Sequence, residues 1–183
     1  MSRPDDVSLI RNCYRNVYGA NPDPSFGEYA AVASPLGTGA VLGYRRASEG
    51  RLFLETYLDR PIEDHLAVLL DAPVDRARVV EIGNLASINP MAMITLWGAV
   101  ANDLGARDEI AVATLTSTLR RMFTRIGVAI RPIAPARPEG RVADAAQWGS
   151  YYDSDPVVCF GAIAQGQQAI ARFMSRRAMG NAA

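Results

Sequence analysis

The sequence predicts an α/β domain of the α+β kind, with a mixed, mostly antiparallel sheet flanked by helices. Three observations point to it. Short runs rich in β-branched and aromatic residues follow one another early in the chain. A strand, helix, strand, helix alternation comes after them, which favours a locally parallel strand pair with crossover helices packed on the sheet. The length of 183 residues, 49% of them hydrophobic, suits one core, since domains run at about 100 to 200 residues and must bury enough apolar surface to offset ordering entropy. Residues 1–183 therefore read as a single domain.

In residues 6–18 the apolar positions Leu9, Ile10, Cys13, Tyr14 and Val17 recur at helical spacing, and Gly19, Pro22 and Pro24 end the pattern. Residues 28–34, 40–46 and 51–58 are three strand-like runs, separated by Pro35-Leu36-Gly37 and Glu49-Gly50, and are expected to form an antiparallel meander. A short helix is expected over 61–70, with Pro61 in the first helical position. Residues 78–82 read as a strand, Asn89-Pro90 as the cap of a helix running to Leu104, and Gly105 as its terminator. The next strand is expected over 109–114. Leu119, Met122, Phe123 and Ile126 stripe a further helix that stops at Gly127. Residues 132–140 are proline-rich and expected to be irregular. A last strand over 157–163 precedes a helix over 165–177.

Composition removes several function classes. The start is polar and acidic with no apolar run behind it, unlike a secretory signal, and no apolar window approaches the roughly 20 residues that cross a bilayer. A cytoplasmic location is expected. Cys13 and Cys159 lack the paired spacing of a zinc or redox motif and read as reduced thiols; no metal is expected. The chain contains no lysine, which excludes Schiff-base chemistry and a P-loop. The single histidine, His65, falls on an expected surface helix with no nucleophile turn around it. A formal charge of zero argues against nucleic acid, and Arg120, Arg121 and Arg125 read as one solvated helix face.

Three segments carry polar groups that need an explanation. In Val79-Val80-Glu81-Ile82-Gly83-Asn84-Leu85-Ala86-Ser87 an apolar strand is interrupted by a carboxylate and an amide. Burying either group unpaired costs about 1 to 3 kcal/mol or more. Strict alternation would put Glu81 and Asn84 on opposite faces; one extra residue at Gly83, as in a β-bulge, would bring them together and splay the strand from its neighbour. The alternative is that Glu81 pairs with an arginine such as Arg51. In Phe53-Leu54-Glu55-Thr56-Tyr57-Leu58-Asp59, period-two alternation would set Glu55, Tyr57 and Asp59 on one face with Phe53, so that two carboxylates line one side; an ordinary half-exposed strand would look the same. Gln147-Trp148-Gly149-Ser150-Tyr151-Tyr152 groups aromatic and hydroxyl side chains densely enough for a pocket wall or a core.

These blocks, in this order, resemble those of the thermostable haemolysin family, over roughly residues 9–161. The order of elements also resembles the acyltransferase fold of the GNAT N-acetyltransferases and the acyl-homoserine-lactone synthases, with its splayed parallel strand pair. That resemblance implies a slot between residues 81–85 and 112–115 for the pantetheine arm of an acyl donor, either acyl-CoA or an acyl carrier protein, with no tightly bound cofactor. It implies transfer of the acyl group to a small amine. Glu81 would be the base, and Tyr151 or Tyr152 would protonate the leaving thiolate. Asn84, Leu85, Ser87 and Thr114 would hold the donor, Glu55, Tyr57, Asp59 and Trp148 would bind substrate, and Thr114 and Trp148 would line the acyl channel. The sequence departs from the acetyltransferases in having no glycine in residues 85–89, where their pyrophosphate loop lies. Two alternatives stand beside this reading: a lytic or lipid-binding protein acting through an amphipathic helix over 165–177, in which Ile170, Phe173 and Met174 oppose Arg172, Arg176 and Arg177, and a non-catalytic binding module on the same fold.

Overall fold

The computed structural model describes residues 4–23, 25–35, 37–106, 109–138 and 145–180. Residues 1–3 of the polar start, Pro24, Leu36 of the first turn and Gly140 lie outside the described residues. Helix α1 (Pro4–Tyr18) leads into the antiparallel pair β1 (Glu28–Ser34) and β2 (Gly37–Arg46). Helix α2 (Ile62–Leu70), strand β3 (Val79–Ser87), helix α3 (Pro90–Leu104) and strand β4 (Ile110–Leu115) follow. Helix α4 (Ser117–Ile126), strands β5 (Arg131–Pro135) and β6 (Val157–Ala162) and helix α5 (Ile163–Gly180) complete the chain. The six strands are ordered β1-β2-β3-β4-β6-β5, and β3 with β4 is the parallel pair. The mixed, mostly antiparallel sheet with flanking helices is therefore as the sequence predicts.

Helices α3, α4 and α5 pack one face of the sheet, where Leu42 and Val80 meet Trp97, Val100, Ile126 and Ile170. On the other face α1 seats Ile10 against Val41 and Ala86, while Leu54, Ile62 and Leu66 cover Val79, Val112 and Val158. Strand alternation sends Val79 and Glu81 to this second face and Val80 to the first.

Two elements differ from the sequence reading. Residues 51–58 form no strand: Leu54–Tyr57 is a 3-10 turn, and the third strand of the antiparallel meander is β3. The apolar and aromatic residues of this run are buried because the turn caps the sheet rather than joins it, with Leu52, Leu54 and Tyr57 all nearly inaccessible. The expected period-two face of Phe53, Glu55, Tyr57 and Asp59 consequently does not exist. Residues 131–135 are a strand, not an irregular stretch, and sit at the sheet's edge, where Pro132 can be accommodated without a ladder N–H. Smaller differences are that Pro61 is the cap of α2 and not its first residue, and that Arg120 is bonded to Leu115 O and to Asp155 instead of standing solvated.

The β2–β3 ladder slips by one residue: Val41 faces Ala86 but Gly43 faces Gly83, so Asn84 and Leu85 together oppose Leu42. Asn84 takes the left-handed conformation that the bulge requires, with φ 49°, one that asparagine tolerates better than most residues. On the other side of β3, pairing with β4 ends at Ile82 and Ala113 although both strands run on. The expected bulge and splay are thus present, one residue beyond Gly83.

Gly83 serves a different purpose. The ring of Phe26 lies on the paired glycines Gly43 and Gly83; a Cβ on Gly43 would stand 2.7 Å from Phe26 Cβ, and one on Gly83 would be closer still to the far edge of the ring. Gly83→Ala should therefore lower stability by roughly 1 to 3 kcal/mol through overpacking. If the cause is this contact, the double variant with Phe26→Ala should lose clearly less than the sum of the two single losses in urea denaturation; simple additivity would contradict it.

Candidate functional site

The splay opens a cavity of about 70 Å³ between Glu81, Gly83, Asn84 and Leu85 on β3 and Thr114 and Thr116 beyond the paired part of β4. Its remaining wall is largely aromatic, with Tyr14 and Tyr18 from α1, Phe26, Phe53, Trp148 and Tyr151 beside Ile82 and Leu119. The segment carrying Trp148 and Tyr151 is brought to α1 by Gly149, whose φ of 51° and lack of a Cβ allow the chain to run directly against Tyr18 O. The Ser150 amide then donates to Tyr18 O at 2.8 Å and the Asn21 amide to Gln147 O at 2.9 Å.

Glu81 is 2% exposed. It is not paired with Arg51; its carboxylate accepts the Leu54 amide on one oxygen and the Phe53 amide on the other, both at 2.8 Å. Burial raises its pKa, the two amides pull it back, and the balance leaves it pushed up to about 7. A carboxylate so placed gives and takes a proton near neutrality. Asn84 donates from Nδ2 to Tyr29 Oη, which also accepts the Phe26 amide, so the bulge residue ties Phe26 into the site. Thr114 Oγ1 is buried and has no hydrogen-bond partner among the described residues. Burial pushes the phenols of Tyr14 and Tyr151 upward, so both remain neutral donors.

Ile82 and Leu85 line this cavity and also a second one of about 100 Å³ on the opposite face of the sheet. That second space is bounded by Trp97, Val100, Leu115, Phe123 and Ile163 and is almost wholly apolar. Cys159 also borders it; burial pushes this thiol up to about 11, which keeps it from acting as a thiolate.

Of the sequence-predicted residues, Glu81, Asn84, Leu85, Thr114, Trp148 and Tyr151 come together here. Tyr152 does not: its hydroxyl meets Tyr57 Oη at 2.9 Å, on the side of the apolar cluster around Leu54. Ser87 is past the cavity, where its carbonyl faces the Cys13 thiol. Glu55 and Asp59 do not line this cavity; they border a separate one together with Arg51, Glu63 and Arg76. Glu55 accepts the Leu52 and Ile62 amides and the Arg76 guanidinium. Burial opposes ionisation of Glu55, but these bonds outweigh it and hold the pKa below the usual range. Asp59 is largely exposed, 2.9 Å from His65 Nε2. The sequence reading missed Tyr14, Tyr18, Phe26 and Phe53. Tyr14 and Tyr18 share one helical face, a signal present but indistinguishable from ordinary core packing.

A family model described as thermostable hemolysin matches residues 2–167. The chain belongs to the thermostable hemolysin family. A comparison with curated proteins finds no match. Among solved structures, the apo form of TofI is 17% identical, with 93% of this chain and 91% of that one covered and a TM-score of 0.60. FeeM, an N-acyl amino acid synthase from uncultured soil microbes, is 12% identical over 90% of this chain and 92% of its own, with a TM-score of 0.60. BjaI, a CoA-dependent acyl-homoserine lactone synthase solved with SAM and isopentyl-CoA, is 12% identical over 94% and 82%, with a TM-score of 0.54. This thermostable hemolysin family member thus shares its fold with TofI, FeeM and BjaI.

The raised pKa of Glu81 has a signed consequence. Between the unfolded value near 4.5 and the folded value of about 7, the native state holds a proton that the unfolded chain has released, so unfolding free energy falls as pH rises through that window. Urea denaturation at about pH 5 and about pH 8 should show this decline, of up to roughly 3 kcal/mol, in the native protein and its absence in Glu81→Gln. Arg76→Ala should cost roughly 3 kcal/mol at neutral pH by leaving the Glu55 carboxylate buried without its cation; a loss below about 1 kcal/mol would show that the amides of Leu52 and Ile62 suffice.

Proposed function

We propose that this protein is an N-acyltransferase that moves an acyl group from a pantetheine thioester to a small amine. The observation that carries the reading is the placement of a neutral-range carboxylate, Glu81, beside the splay of β3 and β4, where one strand edge is released from the ladder. The pantetheine arm enters between the strands, and the acyl chain lies in the apolar cavity behind Ile82 and Leu85. The amine occupies the aromatic cavity. Its nitrogen attacks the thioester carbonyl, the new C–N bond forms and the C–S bond breaks. Glu81 takes the proton that the nitrogen loses and returns it to the departing thiolate. Backbone amides near Asn84 and Leu85, no longer bound to β4, polarise the carbonyl oxygen. Tyr151 donates a hydrogen bond toward the leaving sulfur; Tyr152 does not line this cavity and has no part in the step.

The donor is either acyl-CoA or an acyl carrier protein, and local geometry favours the carrier protein. The N-terminus of α3, where a pyrophosphate would rest, is closed by the Asn89 side chain on the Ala92 amide at 2.9 Å, and Pro90 brings no N–H to that turn. The lipid-binding alternative finds little support in α5, because Ile170 is buried and Phe173 and Met174 pack against the core. No helix among the described residues is long and apolar enough to cross a membrane.

Mass spectrometry of reactions containing acyl carrier protein or CoA thioesters and a panel of small amines tests the reading. N-acyl products should form, faster from the carrier protein, and Glu81→Gln should slow single turnover by about 100-fold to 10,000-fold with donor binding retained. Unchanged turnover per folded molecule of Glu81→Gln would remove Glu81 from the chemistry.

A further inference from the structure

Whatever enters the aromatic cavity meets one sign of charge. Its lining contains six aromatic residues, Tyr14, Tyr18, Phe26, Phe53, Trp148 and Tyr151, a single ionisable acid, Glu81, and no arginine. Glu81 stands opposite Arg45 in the β2–β3 register. The Arg45 guanidinium, however, leaves for the carbonyls of Ser25 and Arg51 and lies 5.8 Å over the Phe26 ring, outside the lining. The chain has no lysine that could reach in. Ring faces carry a negative quadrupole that attracts cations, most strongly at tryptophan and where water is excluded. Trp148 is the hub of the wall, with ring centres 5.8 Å from Phe53, 5.2 Å from Tyr151 and 6.3 Å from Tyr14.

We infer that this cavity is a binding site for a small organic cation, an alkylammonium group held over the aromatic wall beside Glu81. Resting on the acyltransferase reading, the inference specifies the acceptor: it arrives as an ammonium ion and not as a neutral molecule. Size follows from the same walls. The cavity, of about 70 Å³, suits a small head group. Phe26, seated on Gly43 and Gly83 and tied through Tyr29 to Asn84, borders the space on one side. The chemistry balances: an ammonium loses one proton to Glu81, and from there to solvent, before its lone pair can attack, and the second proton passes to the thiolate. A quaternary ammonium has no proton to lose, so it binds without reacting.

Choline and its neutral carbon isostere, dimethylbutanol, have the same shape and differ in charge. Titration calorimetry of the full chain without any acyl donor should give choline an affinity at least roughly tenfold above that of the isostere. Glu81→Gln and, separately, Trp148→Leu should each erase most of that preference, as judged on protein whose circular dichroism matches the native form. Choline should also bind more tightly at about pH 8 than at about pH 6, as Glu81 ionises with Arg45 and Glu55 as its charged neighbours. Equal affinity for the two probes, or no binding of either, overturns the inference. The two readings fail separately: selective choline binding with no acyl transfer leaves the cation site standing and sinks the acyltransferase, while transfer to amines without charge preference does the reverse.

Discussion

The site rests on one arrangement, in which the amides of Phe53 and Leu54 end on the two oxygens of a single carboxylate that strand β3 carries into the interior. At the head of the 3-10 turn these N–H groups have no helical partner, and Glu81 needs donors because it is almost inaccessible to water. Each side satisfies the other. The turn in turn brings Phe53 to the cavity wall, Leu54 into the apolar layer and Glu55 to the partners that hold its far end, namely the amides of Leu52 and Ile62 and the Arg76 guanidinium. Two buried carboxylates, Glu55 and Glu81, therefore pin a connector that has no ladder to hold it.

How much of this was legible depends on the range of the interaction. Glu81 stood out because a carboxylate in an apolar strand has few inexpensive explanations, and the neighbouring Gly83 and Asn84 made a bulge readable within a few residues. The crossover from β3 through α3 to β4 was legible for the same reason, being written in local periodicity and in Asn89 and Gly105. What the sequence could not show was the partner. Alternation in residues 53–59 fits a strand, yet the run folds as a turn because its hydrogen bonds go to Glu81, 27 and 28 positions away. Tyr152 looked equivalent to Tyr151, but a 3-10 turn points adjacent side chains in different directions, one to the cavity and the other to Tyr57. Phe26 was invisible, since only the bare backbones of two glycines from different strands make room for its ring.

The bulge and the splay together bring two compartments on opposite faces of the sheet against the same residues. Ile82 and Leu85 border both the aromatic cavity and the apolar one, because the extra residue at Asn84 lets side chains on either side of the bulge reach the gap. The two compartments differ sharply in chemistry: one holds a carboxylate, an amide and phenols, while the other holds aliphatic and aromatic carbon closed by α3, α4 and α5. A reaction joining a polar nucleophile to an apolar chain needs that contrast, with the reacting atoms at the boundary.

The same contrast bears on which partner confers selectivity. An apolar chamber discriminates weakly, since one methylene more or less changes binding by only about 1 to 3 kcal/mol. A cavity with a fixed carboxylate and a largely aromatic wall discriminates by charge, where an unpaired group on either side is costly. Thr114 Oγ1, buried without a hydrogen-bond partner among the described residues, adds a further polar atom beside this cavity. The side of the sheet that carries charge is thus the one whose residues Glu81 and its two amides hold in place.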